Sequence, residues 1–199
     1  MKAVFTGSGV ALVTPFTKDG VDDEALSRLV AFQLANGTDA IIVCGTTGEA
    51  STMTQEEKRQ VITRVVELVD GEIPVIAGTG ANCTETAVRQ SKEAAALGVD
   101  AVLVVTPYYN KATQEGLIRH YTAVADAVDV PVILYDVPGR TGVTIAPETY
   151  GILAEHPNIV GTKEASGNFA QIQKTRELCG DSFAIWSGND EDTAAVCLL

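Results

Sequence analysis

Residues 101–106 read AVLVVT and residues 130–136 read VPVILYD, two near-continuous runs of aliphatic and β-branched side chains. A strand with one face in water alternates apolar and polar residues, whereas these runs are apolar on both faces. They are therefore predicted to be strands of a parallel sheet that is covered on both sides. With five similar runs, the predicted strands are Gly9–Thr14, Ala40–Cys44, Pro74–Ala77, Ala101–Thr106, Val130–Asp136, Ile159–Lys163 and Phe183–Ser187.

Segments with helical periodicity separate these strands. The clearest begins at Thr54, with Glu57 three residues later as in a capping box, and runs to Gly71. Strands recur about every 25 to 34 residues, a spacing typical of either a (β/α)8 barrel or an open doubly wound sheet. The other helices are predicted to begin near Asp22, Thr84, Thr113, Pro147 and Asn168.

The placement of polar residues favours the barrel over the open sheet. No GxGxxG fingerprint of a dinucleotide-binding sheet follows the first predicted strand. Polar residues instead follow almost every strand, the position of the catalytic rim of a barrel. We therefore expect an α/β fold, a (β/α)8 TIM barrel that forms a single domain over residues 1–199. Because only seven strands are found, the barrel is expected to be truncated after the seventh.

Composition and charge argue against several classes of function. A formal net charge of −12 without a Lys/Arg cluster disfavours nucleic acid, which needs a basic surface. No apolar run approaches the roughly 20 residues that cross a bilayer, so no membrane association is expected. A reduced, cytoplasmic protein without a metal is expected, because no CxxC pairing or zinc-ligand spacing links the four cysteines Cys44, Cys83, Cys179 and Cys197.

Two side chains at neighbouring strand ends carry the candidate chemistry. Lys163 ends the apolar strand IVGTK, which predicts that its amine lies at the barrel mouth. Desolvation there lowers the pKa of a lysine, and only the neutral amine attacks a carbonyl. Tyr135 lies near the end of the preceding strand, where a phenol can accept and return the protons moved during Schiff-base formation. Taken singly, each is more often a lysine reaching solvent or a tyrosine packed in the barrel.

Two further segments offer binding groups for carboxylates. Residues 45–48 read GTTG, so backbone N–H groups and the hydroxyls of Thr46 and Thr47 can face a small anion. The Gly-Lys-Ser/Thr of a phosphate-binding P-loop does not follow, so nucleotide binding is disfavoured. Arg140, in a predicted loop PGRTG, can contact a carboxylate at two points. The alternatives are an ordinary capped turn and a rim arginine paired with a surface acid.

Seven motifs in register resemble the dihydrodipicolinate synthase family, pyruvate-dependent class I aldolases with a (β/α)8 barrel. They span residues 7–190 and read GSGVALVTPF, IIVCGTTGEASTM, PVIAGTGAN, VTPYYN, PVILYDVPGRTG, GTKEASGN and WSGND. The resemblance implies the lyase reaction of a 4-hydroxy-tetrahydrodipicolinate synthase, which condenses pyruvate with L-aspartate 4-semialdehyde in lysine and diaminopimelate biosynthesis. It implies neither a metal nor an organic cofactor.

The resemblance also implies a role for each matching residue. Lys163 corresponds to the Schiff-base lysine, Tyr135 to the proton shuttle, and Thr47 to the link between Tyr135 and Tyr109. In the family that second tyrosine is lent across a dimer interface, so a homo-oligomer, either dimer or tetramer, is implied. The substrate-binding residues implied are Thr46 and Thr47 for pyruvate, Arg140 for the carboxylate of the second substrate, and Gly188.

Two alternatives stay open within the resemblance. N-acetylneuraminate lyases share the barrel and the lysine, but that branch resembles GSTGE and lacks the arginine, so Thr46 and Arg140 favour the synthase. The other alternative is an inactive, truncated member. The seven-strand pattern leaves no counterpart for the family's eighth βα unit or its C-terminal helical extension.

Two local departures from the family pattern bear on the site. Asp136 stands where the family usually has Asn, which adds a possible negative charge beside Tyr135. Lysine-inhibited members place histidines and an acid in an effector pocket, where this chain has Gln55, Lys58 and Thr86. A cation at position 58 repels a cationic effector, so weak or absent inhibition by free lysine is expected.

Overall fold

The computed structural model describes residues 3–199 and contains a parallel sheet wrapped by helices. All seven predicted strands are confirmed, with ends shifted by three residues at most. A short hairpin after the first strand was not anticipated by the sequence. In chain order the strands are β1 (Gly9–Ala11), β2 (Phe16–Thr17), β3 (Gly20–Val21), β4 (Ala40–Val43), β5 (Val75–Gly78), β6 (Ala101–Val105), β7 (Val132–Asp136), β8 (Ile159–Glu164) and β9 (Ala184–Ser187).

The sheet follows chain order. Its strands lie in the sequence β1-β4-β5-β6-β7-β8-β9, every pair is parallel, and β2 and β3 form the separate hairpin. This is the strand arrangement of a (β/α) barrel, in which each strand lies beside the next one along the chain. Within residues 3–199, β1 and β9 each have one neighbouring strand and are not paired with each other. The sheet therefore has seven strands and two edges.

Helices follow the strands at the predicted places. Thr54 and Glu57 form the expected capping box, in which the Thr54 backbone N–H donates to Glu57 Oε2 at 2.7 Å and the Glu57 N–H donates to Thr54 Oγ1 at 3.2 Å. The helices are α1 (Asp23–Ala35), α2 (Gln55–Val69), α3 (Thr84–Ala96), α4 (Gln114–Ala125), α5 (Pro138–Thr141), α6 (Pro147–Leu153), α7 (Phe169–Cys179) and α8 (Thr193–Val196). No helix within residues 3–199 is long and apolar enough to cross a membrane.

The segment PGRTG was predicted to be a loop, and this is wrong. It contains the one-turn helix α5, because Pro138 presets the helical backbone at the first position. Gly142 then ends the helix with a positive φ of 72° while its N–H donates to the Pro138 carbonyl at 2.9 Å. The helix fixes the direction in which Arg140 leaves the backbone.

Apolar side chains cover both faces of the sheet. Along β4, for example, Ile41 and Val43 pack outward against the helices, whereas Ala40 and Ile42 belong to a second cluster inside the barrel. The two clusters explain why the strands read as continuous apolar runs. Inside the barrel the ring of Phe5, which precedes β1, stacks on that of Trp186 from β9, with centroids 5.0 Å apart and planes at 17°.

Candidate active site

The inner faces of β7 and β8 bring the two predicted catalytic side chains together. Tyr135 and Lys163 are direct cross-strand neighbours, and Trp186 flanks Lys163 on β9. The amine of Lys163 lies 4.6 Å from the centroid of the Tyr135 ring. Both side chains therefore point into the same space at the carboxyl end of the sheet, where barrel enzymes bind their substrates.

Burial shapes the acid–base properties of this pair. The pKa of Lys163 is lowered, first by desolvation and then by the nearby Arg140 cation, while Asp190 opposes the shift. The pKa of Tyr135 is raised by desolvation, with Arg140 partly offsetting the effect. The environment thus favours a neutral amine next to a protonated phenol, the combination that a carbonyl-attacking lysine and its proton donor need.

The GTTG segment forms a turn beside this pair. Thr14 Oγ1 donates to the Gly48 carbonyl at 2.8 Å, and the Glu49 N–H donates to the Thr46 carbonyl at 3.0 Å, which fixes the turn. Gly48 has no room for a side chain, because an added Cβ would lie 3.0 Å from the Leu12 carbonyl oxygen. Thr46 and Thr47 are exposed, and within residues 3–199 neither hydroxyl forms a hydrogen bond. Both hydroxyls are available to a ligand.

Arg140 reaches the same space from α5. Its side chain is exposed and forms no ion pair within the part of the chain that the structure describes, so the alternative of a rim arginine bound to a surface acid is not observed. Its charge nevertheless acts on both Lys163 and Tyr135. An unpaired guanidinium at this position can take a carboxylate.

A cavity of about 470 Å³ unites these groups, a size common for small-molecule sites. Six of the seven predicted site residues line it: Thr46, Thr47, Tyr135, Arg140, Lys163 and Gly188. Gly188 closes the site from the β9 side, where its N–H donates to the Glu164 carbonyl at 2.7 Å and an added Cβ would lie 3.0 Å from Lys163 Cε.

Tyr109 is the predicted site residue that the cavity does not include. Tyr109 is 89% exposed and has a φ of +73°, and its neighbour Tyr108 lines the cavity in its place. Within residues 3–199, Thr47 hydrogen-bonds to neither Tyr109 nor Tyr135, so the expected link is not formed inside one chain.

Sequence reasoning overlooked two members of the site. Asn189 lines the cavity, and the charge of Asp190 acts on Lys163. Both follow Gly188 directly, at the end of β9. The signal that identified the other site residues, a polar group just after a strand, applied to these two as well.

Asp136 does not sit beside Tyr135 in space, which corrects the expectation of a charge next to the phenol. Consecutive residues of a strand point to opposite faces, so Tyr135 faces the barrel interior and Asp136 faces the helices. Asp136 is fully buried there and accepts hydrogen bonds from Thr144 Oγ1 at 2.7 Å and from the Ile145 N–H at 3.1 Å.

The residues at the expected effector position line the same cavity. Gln55, Lys58 and Thr86 line it together with Asn82 and Tyr108. Lys58 makes no ion pair within residues 3–199. These residues therefore present a cation and neutral polar groups to the cavity.

Comparison with known proteins identifies relatives from one enzyme family. The sequence profile of the dihydrodipicolinate synthetase family matches residues 4–199. The 4-hydroxy-tetrahydrodipicolinate synthase of Thermoanaerobacter sp. (strain X514) is 54% identical over 197 residues, which cover 98% of this chain and 66% of the relative. The chain thus spans about two thirds of that protein's length.

Solved structures also resemble nearly the full length of the chain, and two of them illustrate the similarity. One is the chloride-inhibited dihydrodipicolinate synthase from Acinetobacter baumannii complexed with pyruvate, with 50% identity, a TM-score of 0.94, and coverage of 96% of this chain and 66% of that one. The other is a monomeric dihydrodipicolinate synthase variant, with 46% identity, a TM-score of 0.96, and coverage of 98% and 66%.

Proposed function

Since the chain belongs to the dihydrodipicolinate synthetase family, we propose that it performs the chemistry of a 4-hydroxy-tetrahydrodipicolinate synthase, a Schiff-base lyase. Pyruvate and L-aspartate 4-semialdehyde are the substrates in this proposal. The contact between Lys163 and Tyr135 carries it, because a desolvated amine 4.6 Å from a phenol ring centroid suits imine formation.

In the first step the neutral Nζ of Lys163 attacks the keto carbon of pyruvate. A C–N bond forms, the carbonyl oxygen leaves as water, and an imine joins pyruvate to the enzyme. The Tyr135 hydroxyl transfers protons between the nitrogen and the departing oxygen. Thr46 and Thr47 hold the pyruvate carboxylate with hydroxyls that have no other hydrogen-bond partner within residues 3–199.

In the second step the imine loses a proton from the pyruvate methyl carbon and becomes an enamine. That carbon attacks the aldehyde of L-aspartate 4-semialdehyde, forming a C–C bond, and the aldehyde oxygen becomes a hydroxyl. The amine of the semialdehyde then displaces Lys163 Nζ, which closes the ring and frees the enzyme. The lysine nitrogen is the electron sink, so these steps need no metal ion or organic cofactor.

Arg140 binds the carboxylate of the semialdehyde, since its guanidinium is unpaired within residues 3–199 and lines the cavity. Tyr109 acts in a neighbouring subunit of a homo-oligomer, dimer or tetramer, and its 89% exposure in one chain is consistent with that role. Sedimentation analysis tests the assembly separately, because one structural relative is a monomeric variant. The four unpaired cysteines support a reduced, cytoplasmic setting.

Borohydride trapping tests the proposal. Folded protein incubated with pyruvate and sodium borohydride should gain a reduced pyruvyl adduct that peptide mass spectrometry locates on Lys163. Lys58 lines the same cavity and is the matched control, so Lys58→Arg should keep the adduct and Lys163→Arg should lose it. An unmodified Lys163 in soluble, folded protein would favour the inactive alternative.

The second substrate separates the synthase from an N-acetylneuraminate lyase. Without borohydride, the enamine formed from pyruvate on Lys163 should condense with L-aspartate 4-semialdehyde and not with N-acetylmannosamine, because Arg140 offers a partner for a carboxylate that the sugar lacks. Consumption of the sugar at a comparable rate would reverse this assignment.

A further inference from the structure

A row of three buried polar side chains lies directly behind the catalytic pair, on the outer face of the sheet. Asp136 and Glu164 are cross-strand neighbours, one residue beyond the pair of Tyr135 and Lys163. Thr106 follows the β6 residue that pairs with Tyr135, which places it beside Asp136 on the other flank. All three outer side chains are buried, with exposures of 0% for Thr106 and Asp136 and 3% for Glu164.

The two carboxyl groups are only partly satisfied. Asp136 Oδ2 accepts from Thr144 and from the Ile145 N–H, whereas Asp136 Oδ1 has no hydrogen-bond partner within residues 3–199. Glu164 Oε1 accepts from the Ser166 N–H at 2.7 Å, and its Oε2 accepts weakly from the Tyr150 hydroxyl at 3.5 Å. A fully ionised Asp136 would leave a buried carboxylate oxygen without any donor.

The elements packed over Asp136 supply no compensating cation. It faces Glu164 on β8, Tyr121 on α4, Tyr150 on α6 and Thr144 in the segment before α6, and no Lys, Arg or His in the described chain bonds to either carboxyl. Burial raises the pKa of Asp136 to about 7, and the charge of Glu164 adds to the shift. Two adjacent buried carboxylates favour a state in which one is protonated.

Within the described chain, no donor on the surrounding elements reaches Asp136 Oδ1. The hydroxyls of Thr106 and Tyr121 are, like Asp136 Oδ1, buried without a hydrogen-bond partner in residues 3–199, so neither hydroxyl stabilises an ionised Asp136. Backbone bonds tie this outer position to the inner one. The Ala165 N–H donates to the Asp136 carbonyl at 2.9 Å, and the Thr106 N–H donates to the Tyr135 carbonyl at 3.0 Å.

We propose that Asp136 is a positioning residue that keeps its proton while the site is assembled, and that losing this proton separates the ends of β7 and β8 and moves Tyr135 away from Lys163. The activity readout of this proposal rests on the proposed function, whereas its stability readout does not. Ionisation puts two like charges on the two strand ends, and repulsion there acts one residue from the catalytic pair.

The sign of the pH dependence follows from linkage. The ordinary pKa of an Asp is 3.8, so between roughly pH 4 and pH 7 the folded chain holds a proton at Asp136 that the unfolded chain has lost. Stability should fall as the pH rises through this window and then level off for this group. The separation of the strand ends follows proton loss from the folded chain itself, which occurs near the upper end of this window.

Asp136→Asn is the sharpest variant, because the amide is neutral at every pH and keeps an oxygen that can accept from Thr144 and Ile145. Asp129→Asn, at an exposed position, is the matched control. Urea midpoints measured from pH 4 to pH 9 should decline up to about pH 7 for the wild type and for Asp129→Asn, and should decline less for Asp136→Asn, in which Glu164 is the remaining carboxyl of the pair with a raised pKa. Parallel curves for the wild type and Asp136→Asn would overturn the proposal.

The second experiment compares the rates of pyruvate trapping at pH values where circular dichroism shows that every variant is folded. The ratio of Asp136→Asn to wild type should rise by about tenfold between pH 6 and pH 9, the effect of a sub-ångström displacement at a reacting centre. A constant ratio would mean that Asp136 affects stability alone and would refute the positioning role. If no variant traps pyruvate at any pH, the proposed function fails and the urea data still decide.

A second variant covers the case in which Asp136→Asn does not fold. Glu164→Gln removes the neighbouring charge, so the Asp136 transition should move to lower pH in the urea data. A transition that stays where it is in the wild type would contradict the coupling between the two carboxyl groups.

Discussion

Replacing Gly188 by alanine should separate the chemistry of the site from the stability of the fold. The new Cβ would lie 3.0 Å from Lys163 Cε, 3.2 Å from Lys163 Cγ and 2.9 Å from Ala165 Cβ, whereas ordinary contacts begin at 3.4 Å. Relief therefore needs displacements of about 0.2 to 0.5 Å. The Lys163 side chain can turn aside, whereas the overlap with Ala165 Cβ is relieved only by a small backbone shift.

This displacement should cost little stability and much activity. We expect the free energy of unfolding to fall by about 1 to 2 kcal/mol, because the lysine side chain yields easily whereas the Ala165 methyl group moves only with its backbone. We expect the trapping rate to fall by about 10- to 100-fold, because the attacking amine is moved relative to Tyr135. Urea denaturation and single-turnover borohydride trapping with pyruvate measure the two quantities on the same samples.

Gly161→Ala is the informative contrast, two residues before Lys163 on the same face of β8. Its Cβ would lie 2.3 Å from the Ala184 carbonyl oxygen and 2.8 Å from the Trp186 ring, and backbone cannot move aside as a lysine can. It should lose about 3 kcal/mol or more of stability. A Gly188→Ala protein that traps pyruvate at the wild-type rate would refute the packing of Lys163 against Gly188.

Two further predictions concern the cavity. The rate of pyruvate trapping should reach half its maximum below pH 10.5, the ordinary pKa of a lysine, because burial lowers the pKa of Lys163; a midpoint at or above that pH would show a solvated amine. Free lysine at millimolar concentration should leave the condensation rate unchanged, since Lys58 repels a cationic ligand, whereas an inhibition curve with a clear plateau would contradict this.

Local chemistry made the elements of the fold predictable. The strands were recognisable because both of their faces are covered, and the helix beginning after Thr54 was marked by its capping pair. The helical turn around Arg140 was missed because four residues are too few to show a period. Its formation depends on where Pro138 and Gly142 stand.

The arrangement of the site was less predictable than the identity of the residues that form it. Motifs named Lys163 and Tyr135, but their direct pairing depends on the register of β7 and β8, which strand sequences alone do not specify. Asp136 was assigned to the neighbourhood of Tyr135 from adjacency in sequence, although alternation along a strand turns it to the other face. The exposure of Tyr109 likewise depends on the tertiary structure.

The stacking of Phe5 on Trp186 supplies an optical reporter. Trp186 is the only tryptophan of the chain, and it touches a residue that precedes the first strand while flanking Lys163 on the last. Its emission should shift to longer wavelength when water enters between β1 and β9, and it should change again when a ligand reaches Lys163. One fluorescence signal can thus follow the approach of the two edge strands and the occupancy of the cavity in the same experiment.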